Sequence, residues 1–337
     1  MKEGKRIEAV CGGIVVADVI VSPVTALPPR GKMSIVSAVE LHVGGCAANT
    51  AVALARLGAG AAVVGRAGDD HLGTFLRCAL EREGVDCRAL ATDPSTPTSA
   101  TTVVVAPDGE RSFIHVPGAN EKLRARDFPL ERFPHARLLH LGGPMLNGRL
   151  RGAAMKTLLR TAREAGMITS IDAVWNTFGR WLDFVAPALP FTDYFFANEA
   201  EARMITGRGT PGAAARFLLE RGAGTAVIKM GPRGSAVFTR GGRLAVPAYP
   251  ARCLDTTGAG DAYVGGFLYG VLKGWGLERA ASLASAAGAM CVTAVGASAG
   301  LKGLAETLNF MKKQNRKTRA SFPARHRPGE PPGFVNQ

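Results

Sequence analysis

"CLDTTGAGDAYVGGFLYG", residues 253–270, puts two threonines, two spaced glycines and one acid, Asp261, directly ahead of a long apolar run. Gly258, Ala259 and Gly260 are small enough for backbone N–H groups to approach a ligand closely. The apolar stretch that follows supplies a helix, whose N-terminus leaves free N–H donors and about half a positive charge. Together these make an anion site of the kind that holds phosphate. An acid there, Asp261, would repel a phosphate. It makes sense as a group that takes a proton from a hydroxyl attacking the phosphate. The plainer alternative is a capping aspartate beside a glycine turn. Neither a GxxxxGK[ST] loop nor a GxGxxG turn occurs in this stretch, so the two common nucleotide loops do not explain it.

Strand and helix signals alternate on either side of this segment. "AANTAVALARLGA" (47–59), "HLGTFLRCALEREGV", "LRGAAMKTLLRTAREAG", "EAEARMITG" and "GAAARFLLERGA" have helical spacing, and short apolar strands separate them. Two long helices are expected near 258–273 and 278–294. This rhythm predicts a mostly parallel sheet with helices on both faces and ligands at the carboxyl ends of the strands. "SATTVVVAPDGERSFIHVPGA" reads instead as a hairpin turning at Pro107-Asp108-Gly109. With the extended stretch near 19–43 it forms a small separate sheet, placed as a lid. "EAVCGGIVVADVI" reads as one buried first strand. "SAVFTRGGRLAVPAY" reads as a late hairpin.

The composition excludes several classes. The chain has 337 residues, 47% of them hydrophobic, which is enough to bury a large core. No apolar run reaches the ~18 residues of a membrane-spanning helix. The N-terminus imitates a secretory signal, but Asp18 interrupts its apolar part and no cleavage site follows. Six scattered cysteines without a CxxC pair argue against zinc and for reduced thiols in a cytoplasm. The net charge is +14, with seven Lys/Arg against one Glu in the last 27 residues. That proline-rich segment, 311–337, is expected to be a disordered tail after a domain spanning 1–310. The remaining positive charge suits an anionic ligand such as a nucleotide. No aromatic-studded basic motif or DNA-reading helix supports nucleic-acid binding.

"DTTGAGDAYVGGFLYG" resembles the second signature of the PfkB carbohydrate kinases, the ribokinase-like group, and "VGGCAANTAVALARLGA" (43–59) resembles its first. The resemblance covers roughly residues 7–305. It implies a ribokinase-like α/β fold, with a lid from parts of 19–45 and 97–118, and an ATP- and Mg²⁺-dependent transfer of phosphate to a small carbohydrate. It implies Asp261 as catalytic base and Gly258, Ala259 and Gly260 as the anion hole. Asp18, Gly44, Gly45 and Asn49 match the sugar-binding positions, although Asn49 also suits a helix cap. "ANEAEA" matches the family's NxxE motif, so Asn198 and Glu201 hold waters around magnesium and phosphates. Glu201 alone also suits a solvated helix face. "IKMGPRG" matches the loop that meets the nucleotide, with Lys229, Gly231 and Gly234; a plain surface lysine is the alternative for Lys229. Ser285 and Gly288 fall in the adenine pocket. Carbonyls near Asp255, Thr257, Cys291, Ala294 and Gly296 match a monovalent-cation site for K⁺.

The match departs from ribokinase at Val16, Gly142 and Cys46, where ribokinase carries polar residues or a lysine. Ribose itself is therefore in doubt, and a nucleoside kinase of the same fold stands as the alternative. Phe113 and His115 fall on the lid, where Phe113 suits either substrate contact or a homodimer interface.

Overall fold

The computed structural model describes residues 6–108 and 110–321. Nine strands build the main sheet: β1 (Ala9–Gly13), β4 (Ala61–Gly68), β5 (Asp86–Asp93), β8 (Leu138–Gly142), β9 (Ile168–Asp172), β10 (Tyr194–Asn198), β11 (Thr225–Lys229), β12 (Ser235–Thr239) and β13 (Gly242–Val246). Their order is β13-β12-β11-β10-β9-β8-β1-β4-β5. All pairings are parallel from β11 across to β5, and the β11–β12–β13 edge is antiparallel. Four further strands, β2 (Val16–Ser22), β3 (Ala38–Gly44), β6 (Ala100–Val105) and β7 (Arg111–Val116), form a separate sheet ordered β3-β2-β6-β7. Both sheets match the sequence expectation, as do the two hairpins.

Helices cover both faces: α1 (Cys46–Leu57), α2 (His71–Arg82), α3 (Ala153–Glu164), α4 (Trp181–Val185), α5 (Glu199–Thr206), α6 (Pro211–Glu220), α7 (Ala259–Leu272), α8 (Leu277–Cys291) and α9 (Leu304–Ser321). The strands are apolar on both faces because both are covered. Along β4, Ala61 and Val63 face one core, shared with α1, α7 and α8. Ala62 and Val64 face the other, shared with α3 and α6.

Two expectations need correction. The first apolar stretch is two strands, because the chain leaves the main sheet at Gly13 and enters the small sheet at Val16. Gly13 sits at φ +139°, and a Cβ there would lie 2.1 Å from the Gly142 carbonyl oxygen. Asp18 therefore belongs to the small sheet, not to the first core strand. The tail boundary at 310/311 also falls inside α9, and residues 322–337 lie outside the described residues.

Glycines bring α7 close to its neighbours. A Cβ on Gly265 would lie 2.5 Å from the Ala53 Cβ of α1. One on Gly266 or Gly270 would lie within 3 Å of α8 backbone atoms. Only the missing side chains let α7 sit between α1 and α8, and that spacing sets up the site.

Candidate active site

The N-termini of α1 and α7 meet at the carboxyl ends of the central strands. Gly45 precedes α1 at φ +89°, close against the Ile14 carbonyl, and Gly258 precedes α7 at φ +72°, close against the Ala297 carbonyl. Neither conformation suits a residue with a side chain. Where the helices converge, Asn49 Nδ2 donates to Asp261 Oδ2 at 2.8 Å. Asn49 lies inside α1 and does not cap it; Gly45 is the cap. Its Oδ1 is buried and has no partner among the described residues, leaving an acceptor for a ligand hydroxyl.

Asp261 lies in the first turn of α7 and is 9% exposed. Burial pushes its carboxyl up, and the nearby Asp172 charge adds to this. Hydrogen bonds from Asn49 and Cys46 and the Lys229 charge oppose, and the result is a pKa of about 7. A carboxyl poised there can accept a proton at neutral pH. The N–H groups of Gly258 and Gly260 carry no hydrogen bond among the described residues. Ala259 is different and corrects the expectation for it: its N–H donates to the Thr256 carbonyl at 3.2 Å.

Lys229 is not a surface lysine. It ends β11, its Nζ donates to Asp172 Oδ1 at 2.7 Å, and it reaches the α7 turn. A Cβ on Gly260 would sit 3.2 Å from this Nζ. Burial alone would lower the Lys229 pKa. The Asp172 and Glu201 charges outweigh it and hold the ammonium protonated above the usual lysine range. Asp172, at the carboxyl end of β9, went unassigned in the sequence. Its position on a central strand end was the available signal.

Asn198 and Glu201 form a capping box at the start of α5. Asn198 Oδ1 accepts from the Glu201 N–H, and Glu201 Oε2 accepts from the Asn198 N–H, both at 2.8 Å. Glu201 is buried, and burial followed by the Asp172 and Asp261 charges raises its carboxyl to about 7, with Lys229 opposing. The motif thus shapes the helix end and also holds a carboxylate beside Lys229.

The small sheet covers the site with its polar face. Strand register aligns His42, Asp18, Thr101 and His115 in one row across all four strands. Thr101 Oγ1 pairs with His115 Nδ1 at 3.0 Å. Burial raises Asp18 to about 6, against the Thr101 hydrogen bond and the His42 charge. Gly44 makes room for this carboxylate, since a Cβ there would lie 2.0 Å from Asp18 Oδ2. From β7, Arg111 donates to Asp255 Oδ1 at 2.6 Å and also to the Thr256 and Thr257 hydroxyls. Sequence reasoning missed Arg111, whose partners lie far away along the chain.

The remaining candidates split. Gly231 sits at φ +57° with open space where a side chain would be, whereas Gly234 packs against the Val246 carbonyl. Gly234 is thus explained by the β12–β13 edge and does not face the open loop. The Ser285 hydroxyl donates to the Pro247 carbonyl at 2.8 Å, and Gly288 lets α8 approach the Ala259 carbonyl. Asp255 Oδ2 accepts from the Gly296 N–H at 2.9 Å, joining the Asp255–Thr257 turn to the loop after α8. The Cys291 thiol donates to the Thr257 and Ala297 carbonyls. All six cysteines are free of disulfides. Among the described residues no helix is long and apolar enough to cross a membrane.

A parallel α/β scaffold that buries an acid beside free amides at a helix N-terminus suits phosphoryl transfer. Residues 7–303 match the pfkB family carbohydrate kinases, and the chain belongs to that family and is a carbohydrate kinase. It is 31% identical to fructokinase-1 of Oryza sativa subsp. japonica over 284 residues, 80% of this chain and 88% of that one. It is 32% identical to aminoimidazole riboside kinase of Salmonella typhimurium over 270 residues, 75% of this chain and 83% of that one. Among solved structures, Arabidopsis thaliana ribokinase complexed with ribose and ATP superposes with a TM-score of 0.79 at 26% identity, covering 91% of this chain and 99% of that one. Fructokinase from Vibrio cholerae O395 gives 0.74 at 27% identity, with the same coverages.

Proposed function

We propose that this chain transfers the γ-phosphate of ATP to a hydroxyl of a small sugar, with Asp261 as general base. The observation that carries this is the buried Asp261 carboxyl, poised near 7, hydrogen-bonded to Asn49 and standing in the turn that presents the free Gly258 and Gly260 amides. The sugar lies between Asp18 on one side and the hydrogen-bonded Asn49–Asp261 pair on the other, with the free Asn49 Oδ1 as a further acceptor. Asp261 takes the hydroxyl proton as the new O–P bond forms and the bond to ADP breaks. The amides and the Lys229 ammonium receive the charge that gathers on the phosphoryl oxygens, where a positioned donor is worth about 3–4 kcal/mol in other enzymes. Closure of the small sheet excludes water and limits ATP hydrolysis.

No group of three or more His, Cys, Asp or Glu among the described residues makes a metal cage by itself. Mg²⁺ carried in by ATP needs no such cage, since it keeps several waters and takes most other oxygens from phosphates. Asn198 and Glu201 would hold those waters. Bound there, the ion neutralises phosphate charge. A K⁺ ion among carbonyls of the Asp255–Thr257 turn and the 291–296 loop completes the proposal.

Assays with ATP and a panel of hexoses, pentoses, sugar acids and nucleosides test the reading. Asp261→Asn should bind sugar and ATP as before and turn over at least about 10²-fold more slowly; near-normal turnover removes Asp261 from its role. The 32% identity to an aminoimidazole riboside kinase favours nucleosides as the second substrate class, which the same panel separates.

The outer face of the small sheet carries Val21, Val39, Leu41, Val104, Ile114 and Val116, with Val39, Leu41, Ile114 and Val116 exposed. An apolar face spanning four strands is read as covered by a second copy of the chain. Light scattering on Ile114→Lys would give a monomer where the native protein gives a dimer.

A further inference from the structure

The hydroxyls of the paired threonines before the anion loop have no part in the chemistry above, and neither does Arg111. One guanidinium joins them. Arg111 lies on β7, on the face of the small sheet that carries His115 and looks toward the site. Nη1 donates to Asp255 Oδ1 at 2.6 Å and to the Thr257 hydroxyl, and Nη2 donates to the Thr256 hydroxyl. A single lid side chain therefore holds the three consecutive residues that lead into Gly258. Asp255 spreads the grip. Its Oδ1 also accepts from the Thr257 N–H at 2.8 Å and hydroxyl at 2.7 Å, and its Oδ2 accepts from the Gly296 N–H. The Thr256 carbonyl accepts from the Ala259 N–H. The lid has a second contact on the same support, because the His42 ring packs where a Gly296 side chain would be, 2.6 Å from that position.

We infer that Arg111 is a positioning residue, a latch through which closure of the small sheet sets the Asp255–Thr257 turn and so aims the Gly258 and Gly260 amides. This rests on the proposed phosphoryl transfer and goes beyond it, since it assigns the coupling between lid and anion hole. With the lid raised, Asp255, Thr256 and Thr257 lose their common cation. The turn is then free to relax, and the donors no longer converge on one point. With the lid down, a fork of fixed N–H donors defines the turn from outside. Productive amide geometry then exists only in the closed state, which is also the state that excludes water. The arrangement links sugar-driven closure to phosphoryl transfer and leaves ATP alone protected.

The test compares native protein with Arg111→Met, Arg111→Lys, Thr256→Val/Thr257→Val and the combined variant. Arg111 lies on an edge strand, so folding is checked first by thermal melting. Hydrogen–deuterium exchange of the amides at 255–260 needs no turnover. Arg111→Met should exchange faster there than native protein, with the main sheet unchanged and Arg111→Lys intermediate. With the sugar identified by the panel, Arg111→Met should lower kcat about 10- to 100-fold, the scale of a misplaced oxyanion donor, and change sugar KM less than about threefold. Adding the threonine changes should cost little more, because the groups act as one unit. Equal exchange at 255–260, or a kcat within twofold of native, overturns the latch. A native protein inactive on the whole panel overturns the kinase reading instead, while the exchange comparison still decides whether Arg111 orders the turn.

Discussion

Replacing Asn49 with leucine tests whether the Asp261 carboxyl is tuned by its neighbours. Asn49 Nδ2 donates to Asp261 Oδ2 at 2.8 Å in a buried setting, and this bond favours the charged carboxylate. Leucine keeps the four-atom branched shape, with bulkier methyl groups, and has no donor. A hydrogen bond to a charged group is worth about 1.5–3 kcal/mol, equivalent to about one to two pKa units. The sign follows from losing a contact that stabilises the base form: the carboxyl moves further up from about 7. At pH 7 the native base is about half ionised and the variant about one-tenth to one-hundredth, so the pH 7 rate falls about 5- to 50-fold from this cause alone. The assay is the pH profile of kcat/KM for the sugar at saturating ATP, which reports the groups of the ATP-bound enzyme before sugar binds. Losing the Asn49 Oδ1 as a sugar ligand lowers the plateau without moving the inflection, so the two effects separate. An inflection that stays in place, or moves down, refutes the tuning argument.

The site should also cost the fold stability in a pH-dependent way. The Asp261 carboxyl is raised in the folded chain from 3.8 to about 7, so its contribution is fully present below pH 4 and is lost as pH rises through 7. Asp261→Asn should match native protein at pH 4 and exceed it at pH 8 by up to about 4 kcal/mol in urea unfolding of the ligand-free chain; a gap that does not widen with pH counts against the shift. Lys229→Met leaves Asp172 buried without its cation and should cost about 3–5 kcal/mol, much of it recovered by adding Asp172→Asn. Additive losses in that pair, again by urea unfolding, would mean that the ion pair is not the reason.

The parts of this molecule set by local sequence were legible from it. Helical spacing located α1 through α3 and α5 through α8, and turn residues located both hairpins. The two signature segments carried Asp261, Gly258, Gly260 and Asn49, because those residues sit at or near helix ends that the sequence marks by its small residues. β5 was passed over because "DCRALATD" is flanked by charges and lacks strict alternation. The break at Gly13 was read through, because apolar residues continue on both sides and only the change of sheet distinguishes them.

What stayed hidden depends on distance along the chain. Asp172 and Lys229 are 57 residues apart and become one charged unit only when β9 and β11 bracket β10. Arg111 meets Asp255 across 144 residues, from the small sheet to the turn ahead of α7. Neither pairing leaves a spacing to read. Both also supply what the local motif lacks. Three acids, Asp172, Glu201 and Asp261, all act on the Lys229 ammonium, and the loop's own amides carry only partial charge. In the proposed reaction Lys229 would keep that cluster from repelling phosphate, and in the proposed latch Arg111 would fix the turn from the opposite side. Charge balance at the site therefore comes from the packing of distant elements, while the proposed proton acceptor and its donor cradle come from one short segment.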